Sequence, residues 1–119
     1  MANLGLEGPW ELTDDMVDQV ISALGPGNYA LGYTDIMGNF IVLYIGRSDY
    51  DLNDRLHDWT PYSKYKQFKA SYATSAEAAF EKECRNYHDF GGSKRLENES
   101  HPDRPDGTDW VCPNCEIFD

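Results

Sequence analysis

Two runs of β-branched and aromatic residues, separated by a short polar turn, constrain the fold of this chain most. The first run extends from Tyr29 to Thr34 and the second from Phe40 to Ile45. Between them lies Asp35-Ile36-Met37-Gly38-Asn39, and Asp, Gly and Asn are residues that tight turns favour. The pattern predicts a β-hairpin in this part of the chain.

A helix is predicted to precede the hairpin. Thr13 is suited to cap its N-terminus, and Gly25-Pro26 is suited to stop it. Residues 1–12 are expected to be irregular, with Pro9-Trp10 as an anchor onto the core. The apolar residues of the predicted helix fall on one face; they are Met16, Val17, Val20, Ile21 and Leu24.

The chain beyond the hairpin predicts two more helices and one more strand. Asp51 to Trp59 is expected to form a short helix, and residues 65–73 alternate as a third strand would. Thr74-Ser75-Ala76-Glu77 is a capping box, which opens a helix that Gly91-Gly92 ends. Helices interspersed with antiparallel strands indicate the α+β class.

The net charge of −11 restricts the partners that suit this chain. Proteins that bind nucleic acid usually carry a basic face, because neutralising phosphates supplies most of their affinity. Here residues 1–26 carry five acids and no bases, and residues 71–119 carry eleven acids and five bases. Residues 27–70 carry five of each, so the segment that contains the hairpin is neutral.

Length and N-terminal composition predict one small cytoplasmic domain. The chain has 119 residues, and Met1 to Glu7 lack the basic start and apolar run of a secretory signal. No apolar stretch approaches the length of a membrane span, so we expect no membrane partner.

Two short motifs lie on the hairpin, Gly27-Asn28-Tyr29 and Tyr44-Ile45-Gly46. The last helix contains the string Ala79-Phe80-Glu81-Lys82-Glu83-Cys84-Arg85-Asn86-Tyr87-His88. Together these motifs resemble the GIY-YIG nuclease family, in the form of its bacterial single-domain members. The resemblance covers residues 27–100 and implies a small three-stranded antiparallel sheet flanked by helices. Residues 1–26 would then be an N-terminal extension with its helix, and residues 101–119 a C-terminal tail.

The resemblance also implies an activity, that of a metal-dependent endonuclease which hydrolyses phosphodiester bonds in nucleic acid, with DNA as the expected substrate. Matched residue by residue, the catalytic set would be Tyr29, Tyr44, Arg55, Glu83 and Asn98. Arg47 occupies the basic position after the second motif and would bind phosphate.

The chemistry of this set suits phosphodiester hydrolysis. Glu83 is a carboxylate on the core-facing side of its helix, and a single Mg²⁺ or Mn²⁺ ion can be held by one carboxylate with phosphate oxygens and waters. An arginine can hold a phosphate through two hydrogen bonds, and Tyr29 or Tyr44 could act as general base. Two positions depart from the family pattern: Asn28 stands where the family name has isoleucine, and Trp59 stands where many members have histidine or tyrosine.

A second candidate site lies in the cysteine-containing tail. Cys84 and His88 are four residues apart on one helix, so their side chains face the same way. Cys112-Pro113-Asn114-Cys115 is a two-residue knuckle, and three thiolates with one imidazole are a normal set for structural zinc. His101 is a further candidate that could replace His88.

The acidity favours an alternative function on the same fold, a non-catalytic module that binds a basic protein or mimics DNA. A protein partner could also supply a DNA-binding surface to a nuclease of this kind.

Overall fold

The computed structural model describes residues 3–62, 64–98 and 100–115, so residues 116–119 of the predicted tail lie outside the described residues. Within these described residues there are four strands and three α-helices, which confirms the α+β class. The strands are β1 (Glu7–Glu11), β2 (Gly27–Thr34), β3 (Phe40–Ser48) and β4 (Gln67–Tyr72). The helices are α1 (Asp14–Val20), α2 (Leu52–His57) and α3 (Ala76–Asp89), and the 3-10 turn Gly92–Lys94 follows α3.

The sheet has four strands, so the prediction of three was wrong. Its order is β1-β4-β2-β3, with every neighbouring pair antiparallel. The unpredicted strand β1 contains Gly8 and Pro9, which disfavour strands in sequence patterns. It forms because it pairs with β4 at the edge of the sheet and because Trp10 packs on Phe68, with ring centroids 5.5 Å apart.

The two faces of the sheet bury different helices, as the period of two along β2 requires. Tyr29 and Leu31 face the cluster that contains Val17 of α1 and the leucines of α2. Ala30 faces the other side, where Ile45 and Tyr87 of α3 pack. None of the helices in the described ranges has the length and apolar content needed to cross a membrane.

Local capping explains where the helices begin. Thr13 accepts a hydrogen bond from the backbone N–H of Met16, as predicted, and Asp51 caps α2 in the same way through Asp54. The cap of α3 is Ser75 rather than Thr74. Helix α1 ends at Val20, earlier than predicted, and Leu24 lies beyond it with 77% of its surface exposed.

The hairpin strand β3 lies at the other edge of the sheet, where a later segment covers part of it. The backbone N–H of Glu97 donates to the carbonyl of Leu43 at 2.7 Å. Asn98 then bonds Ile45 twice: its Oδ1 accepts from the Ile45 N–H at 3.0 Å, and its Nδ2 donates to the Ile45 carbonyl at 2.7 Å. These bonds hold the edge strand up to the residue before Gly46.

His57 joins α2 to α1 through two carboxylates. Its Nδ1 lies 2.6 Å from Asp14 and its Nε2 lies 2.7 Å from Asp18, and both contacts raise the pKa of His57. The folded protein therefore favours the charged imidazole, and this stabilisation is present below the ordinary pKa of histidine and lost as pH rises through the raised pKa.

We expect His57→Ala to lower the free energy of unfolding more at pH 6 than at pH 9. Urea denaturation at both pH values measures the difference. Asp14→Asn should reduce the pH-dependent part, whereas Asp15→Asn should leave it unchanged. Equal losses for His57→Ala at the two pH values would contradict the prediction.

Candidate active site and metal centre

The C-terminal end of β3 brings residues from four elements around one cavity. The cavity has a volume of about 360 Å³. Its walls come from β2, β3, α2, α3 and the loop after β3. The lining residues are Tyr29, Tyr44, Gly46, Arg47, Ser48, Asp49, Arg55 and Glu83. Five of the six residues predicted for catalysis or phosphate binding therefore lie together, although they are spread over more than fifty positions of the chain.

Gly46 makes the close approach at the centre of this cavity possible. It pairs with Tyr29 across β2 and β3. A Cβ atom built on Gly46 would overlap the ring and hydroxyl of Tyr29, so the phenol occupies the space that any other side chain would fill. The second motif thus needs its glycine for the position of the tyrosine in the first.

The hydroxyl of Tyr29 interacts with one group from α2 and one from the turn after it. Trp59 donates its indole N–H to this hydroxyl at 2.8 Å, and the charge of Arg55 interacts electrostatically with it. Burial raises the pKa of Tyr29 to about 12, although the charge of Arg55 opposes the rise. From the sequence, Trp59 was noted only as a departure from the family pattern. The fold places it next to Tyr29, and this contact gives it a role in the site.

The pKa of Tyr44 depends on the charge of the Glu83 carboxylate. Burial raises its pKa, the negative charge of Glu83 raises it further, and Arg55 lowers it. Its ring packs on Trp59 with centroids 4.7 Å apart. A cation beside Glu83 would cancel the contribution of that carboxylate and so would make the Tyr44 proton easier to remove.

Arg47 and Glu83 form a largely buried ion pair at the opposite wall. Arg47 Nη1 donates to Glu83 Oε1 at 2.6 Å, and its Nε donates to Asp49 Oδ1 at 2.7 Å. Burial raises the pKa of Glu83 to about 7, with Arg47 opposing the rise. Protons therefore compete with any cation for this carboxylate near neutral pH.

Asn98 lies apart from this cavity. Both polar groups of its side chain bond the backbone of Ile45, and it lines a neighbouring cavity with Tyr44 and Trp59. The role of Asn98 that its contacts support is to hold the edge of β3 in place. Its predicted catalytic role stays a prediction.

Asn28, the other departure from the family pattern, ties β2 to α3. It is 1% exposed, and its Nδ2 donates to the carbonyl of Ala79 at 2.8 Å. This bond anchors the first turn of the helix that carries Glu83.

A second group of side chains, at the far end of α3, could bind a metal such as zinc. Its ligand atoms all lie within 4.8 Å of one another, and its members are His88, His101, Cys112 and Cys115. The Nε2 atoms of the two histidines are 3.1 Å apart, and His101 Nε2 is 3.3 Å from Cys115 Sγ. A zinc tetrahedron with usual bond lengths has ligand separations of about 3.3–3.8 Å, so the group needs only a small adjustment.

This group differs from the predicted set by one ligand, because His101 is present in it and Cys84 is not. Cys84 packs instead with Phe80 and Cys112 in an apolar cluster, and burial raises the pKa of its thiol. The difference arises because the tail folds back and brings His101 over His88, which no local pattern indicates. Burial and the neighbouring His101 lower the pKa of His88, which favours the neutral imidazole that metals bind.

Comparison with known proteins gives no relative for this chain. No family model matches it, and neither a curated protein nor a solved structure is significantly similar.

Proposed function

We propose that this protein is a metal-dependent endonuclease of the GIY-YIG type, which hydrolyses phosphodiester bonds in nucleic acid, with DNA as the substrate to test first. One observation carries the proposal: Tyr29, Tyr44, Arg47, Arg55 and Glu83 converge on a single cavity from β2, β3, α2 and α3. Phosphodiester hydrolysis needs an activated water and neutralisation of charge on the phosphate, and two arginines, two phenols and a carboxylate that can hold a cation can supply both.

Glu83 is the residue that would hold Mg²⁺ or Mn²⁺, since it is the one carboxylate on α3 that lines the cavity. The ion would activate water and neutralise charge on the phosphate. Arg47 would lose its partner Glu83 to the cation, which leaves Nη1 available to a phosphate oxygen. Arg55, whose side chain is half exposed at the mouth of the cavity, would bind a second phosphate oxygen.

Tyr44 is the better candidate for general base. Its pKa responds to the charge on Glu83, so cation binding there would ease loss of its proton. Tyr29 is buried deeper, and its hydroxyl accepts a hydrogen bond from the indole N–H of Trp59. We assign Tyr29 to positioning Arg55 at the phosphate.

Cleavage of supercoiled plasmid in Mg²⁺ or Mn²⁺ tests this proposal. We expect Glu83→Gln to lower the rate at least about a hundredfold, because the metal ligand is lost while the shape of the side chain is kept. Glu81→Gln, with the same change of charge on the same helix, should cleave at the wild-type rate. A wild-type protein that does not cleave, or a Glu83→Gln protein that cleaves equally well, would reject the proposal.

The net charge of −11 gives specific support to the alternative of a non-catalytic acidic module. Salt-dependent binding of a basic protein, unchanged by Glu83→Gln and without cleavage, would favour that function. If the protein is a nuclease, its acidity favours a protein partner that supplies part of the DNA-binding surface.

We also infer that the group of His88, His101, Cys112 and Cys115 holds a structural zinc ion. Four protein ligands leave no open position for water, so zinc here would fasten the tail rather than take part in hydrolysis.

A further inference from the structure

The tail that leads into the proposed metal centre also contacts the candidate active site. The carbonyl of Asp103 accepts a hydrogen bond from Arg47 Nη2 at 2.6 Å. Asp103 stands two residues after the ligand His101. A short segment without helix or strand therefore connects the proposed metal centre with Arg47, the arginine proposed to bind phosphate.

A second contact connects the same arginine with the other end of the tail. Arg47 stacks on the ring of Phe80, with its guanidinium carbon 5.1 Å from the ring centroid. Phe80 in turn packs on Trp110, with centroids 6.0 Å apart. Trp110 stands two residues before the ligand Cys112. The part of the tail after His101 therefore contacts Arg47 directly, and the part before Cys112 contacts it through the ring of Phe80.

These contacts set the direction in which the guanidinium points. Its Nε is fastened by Asp49, and its Nη2 is fastened by the carbonyl of Asp103. Nη1 is left facing Glu83 and the cavity. A guanidinium held along one edge presents the other in a fixed orientation, which is what binding a phosphate oxygen requires.

We propose that the metal centre of the tail is a positioning element for Arg47. Metal binding orders the segment from His101 to Cys115, and that segment holds Arg47 with Nη1 towards the cavity. The contact itself is independent of any activity, but its purpose rests on the proposed function.

Reciprocity makes this coupling measurable without nucleic acid. If the ordered tail holds Arg47, then Arg47 must strengthen metal binding by the same factor. We expect Arg47→Ala to weaken zinc affinity about tenfold or more, because a hydrogen bond from a charged donor to the tail is lost. Competition with a chromophoric zinc chelator, using the full chain, measures the affinity.

Two control variants separate this coupling from general damage to the cavity. Arg55→Ala removes the other arginine of the cavity, whose described partners lie on β2, on β3 and at the C-cap of α2, and should bind zinc like the wild type. Glu83→Gln alters the partner of Arg47 on α3 but leaves the bond to Asp103, so its zinc affinity should also be unchanged. Circular dichroism checks that each variant is folded, and Arg47→Lys provides a milder change that should show a smaller loss of affinity.

Equal zinc affinities for Arg47→Ala, Arg55→Ala and the wild type would overturn the proposal, as would a wild-type protein that binds no zinc. A protein that cleaves no DNA but shows the expected loss in Arg47→Ala would refute the nuclease and leave the coupling established. The two failures are therefore distinguishable.

Discussion

Removal of zinc from the group of His88, His101, Cys112 and Cys115 is expected to lower the free energy of unfolding by about 4 kcal/mol, relative to protein in free zinc a thousandfold above its dissociation constant. The tail needs this contribution because residues 101–115, all described, form neither helix nor strand. Of these residues, only Pro102 and Cys112 are buried. Urea denaturation with and without a chelator measures the loss.

The matched pair Cys115→Ala and Cys84→Ala tests which cysteines take part. Cys115→Ala should lose stoichiometric zinc and show the same fall in stability as the chelated protein. Cys84→Ala should keep its zinc, because Cys84 packs with Phe80 outside the ligand group. Because Cys115 belongs to both ligand sets, a Cys84→Ala protein that lacks zinc would favour the set predicted from sequence, and a Cys115→Ala protein that keeps zinc would contradict both sets.

Gly46→Ala is expected to destabilise the protein by about 3 kcal/mol and to remove the geometry of the candidate active site. The new methyl group would overlap the ring of Tyr29, which is 1% exposed and packed among residues of α1, α2 and β4. The ring cannot move aside without breaking its bond to Trp59 or displacing the core. We therefore expect cleavage to be lost together with stability.

Gly25→Ala is the matched control for this substitution. The nearest atom to a Cβ there is in the ring of Tyr72 at 3.7 Å, an ordinary contact, so stability should change little. The midpoint of urea denaturation reports both effects. A Gly46→Ala protein as stable as Gly25→Ala would show that Tyr29 does not depend on Gly46 for its position.

Local patterns predicted the elements whose structure depends on neighbouring residues. The hairpin lies where its two apolar runs and polar turn indicate, with Asp35 Oδ1 accepting hydrogen bonds from Met37 and Asn39. Helix α1 begins at its predicted cap Thr13, because a capping side chain acts on backbone N–H groups within three residues. Strand β1 was not predicted, because Gly8 and Pro9 disfavour a strand locally. It forms because it pairs with β4.

The candidate site was likewise predictable in part from the sequence. The resemblance to the GIY-YIG family implied Tyr29, Tyr44, Arg47, Arg55 and Glu83, and the fold brings these five, but not the predicted Asn98, to one cavity. Trp59 next to Tyr29, Asp103 on Arg47 and His101 beside His88 could not be read from spacing. Residue types and local patterns therefore account for the reactive groups and for most of the elements that carry them. Their partners follow from the three-dimensional fold, because contacts such as that of Arg47 with Asp103, across more than fifty residues, depend on how the whole chain folds back on itself.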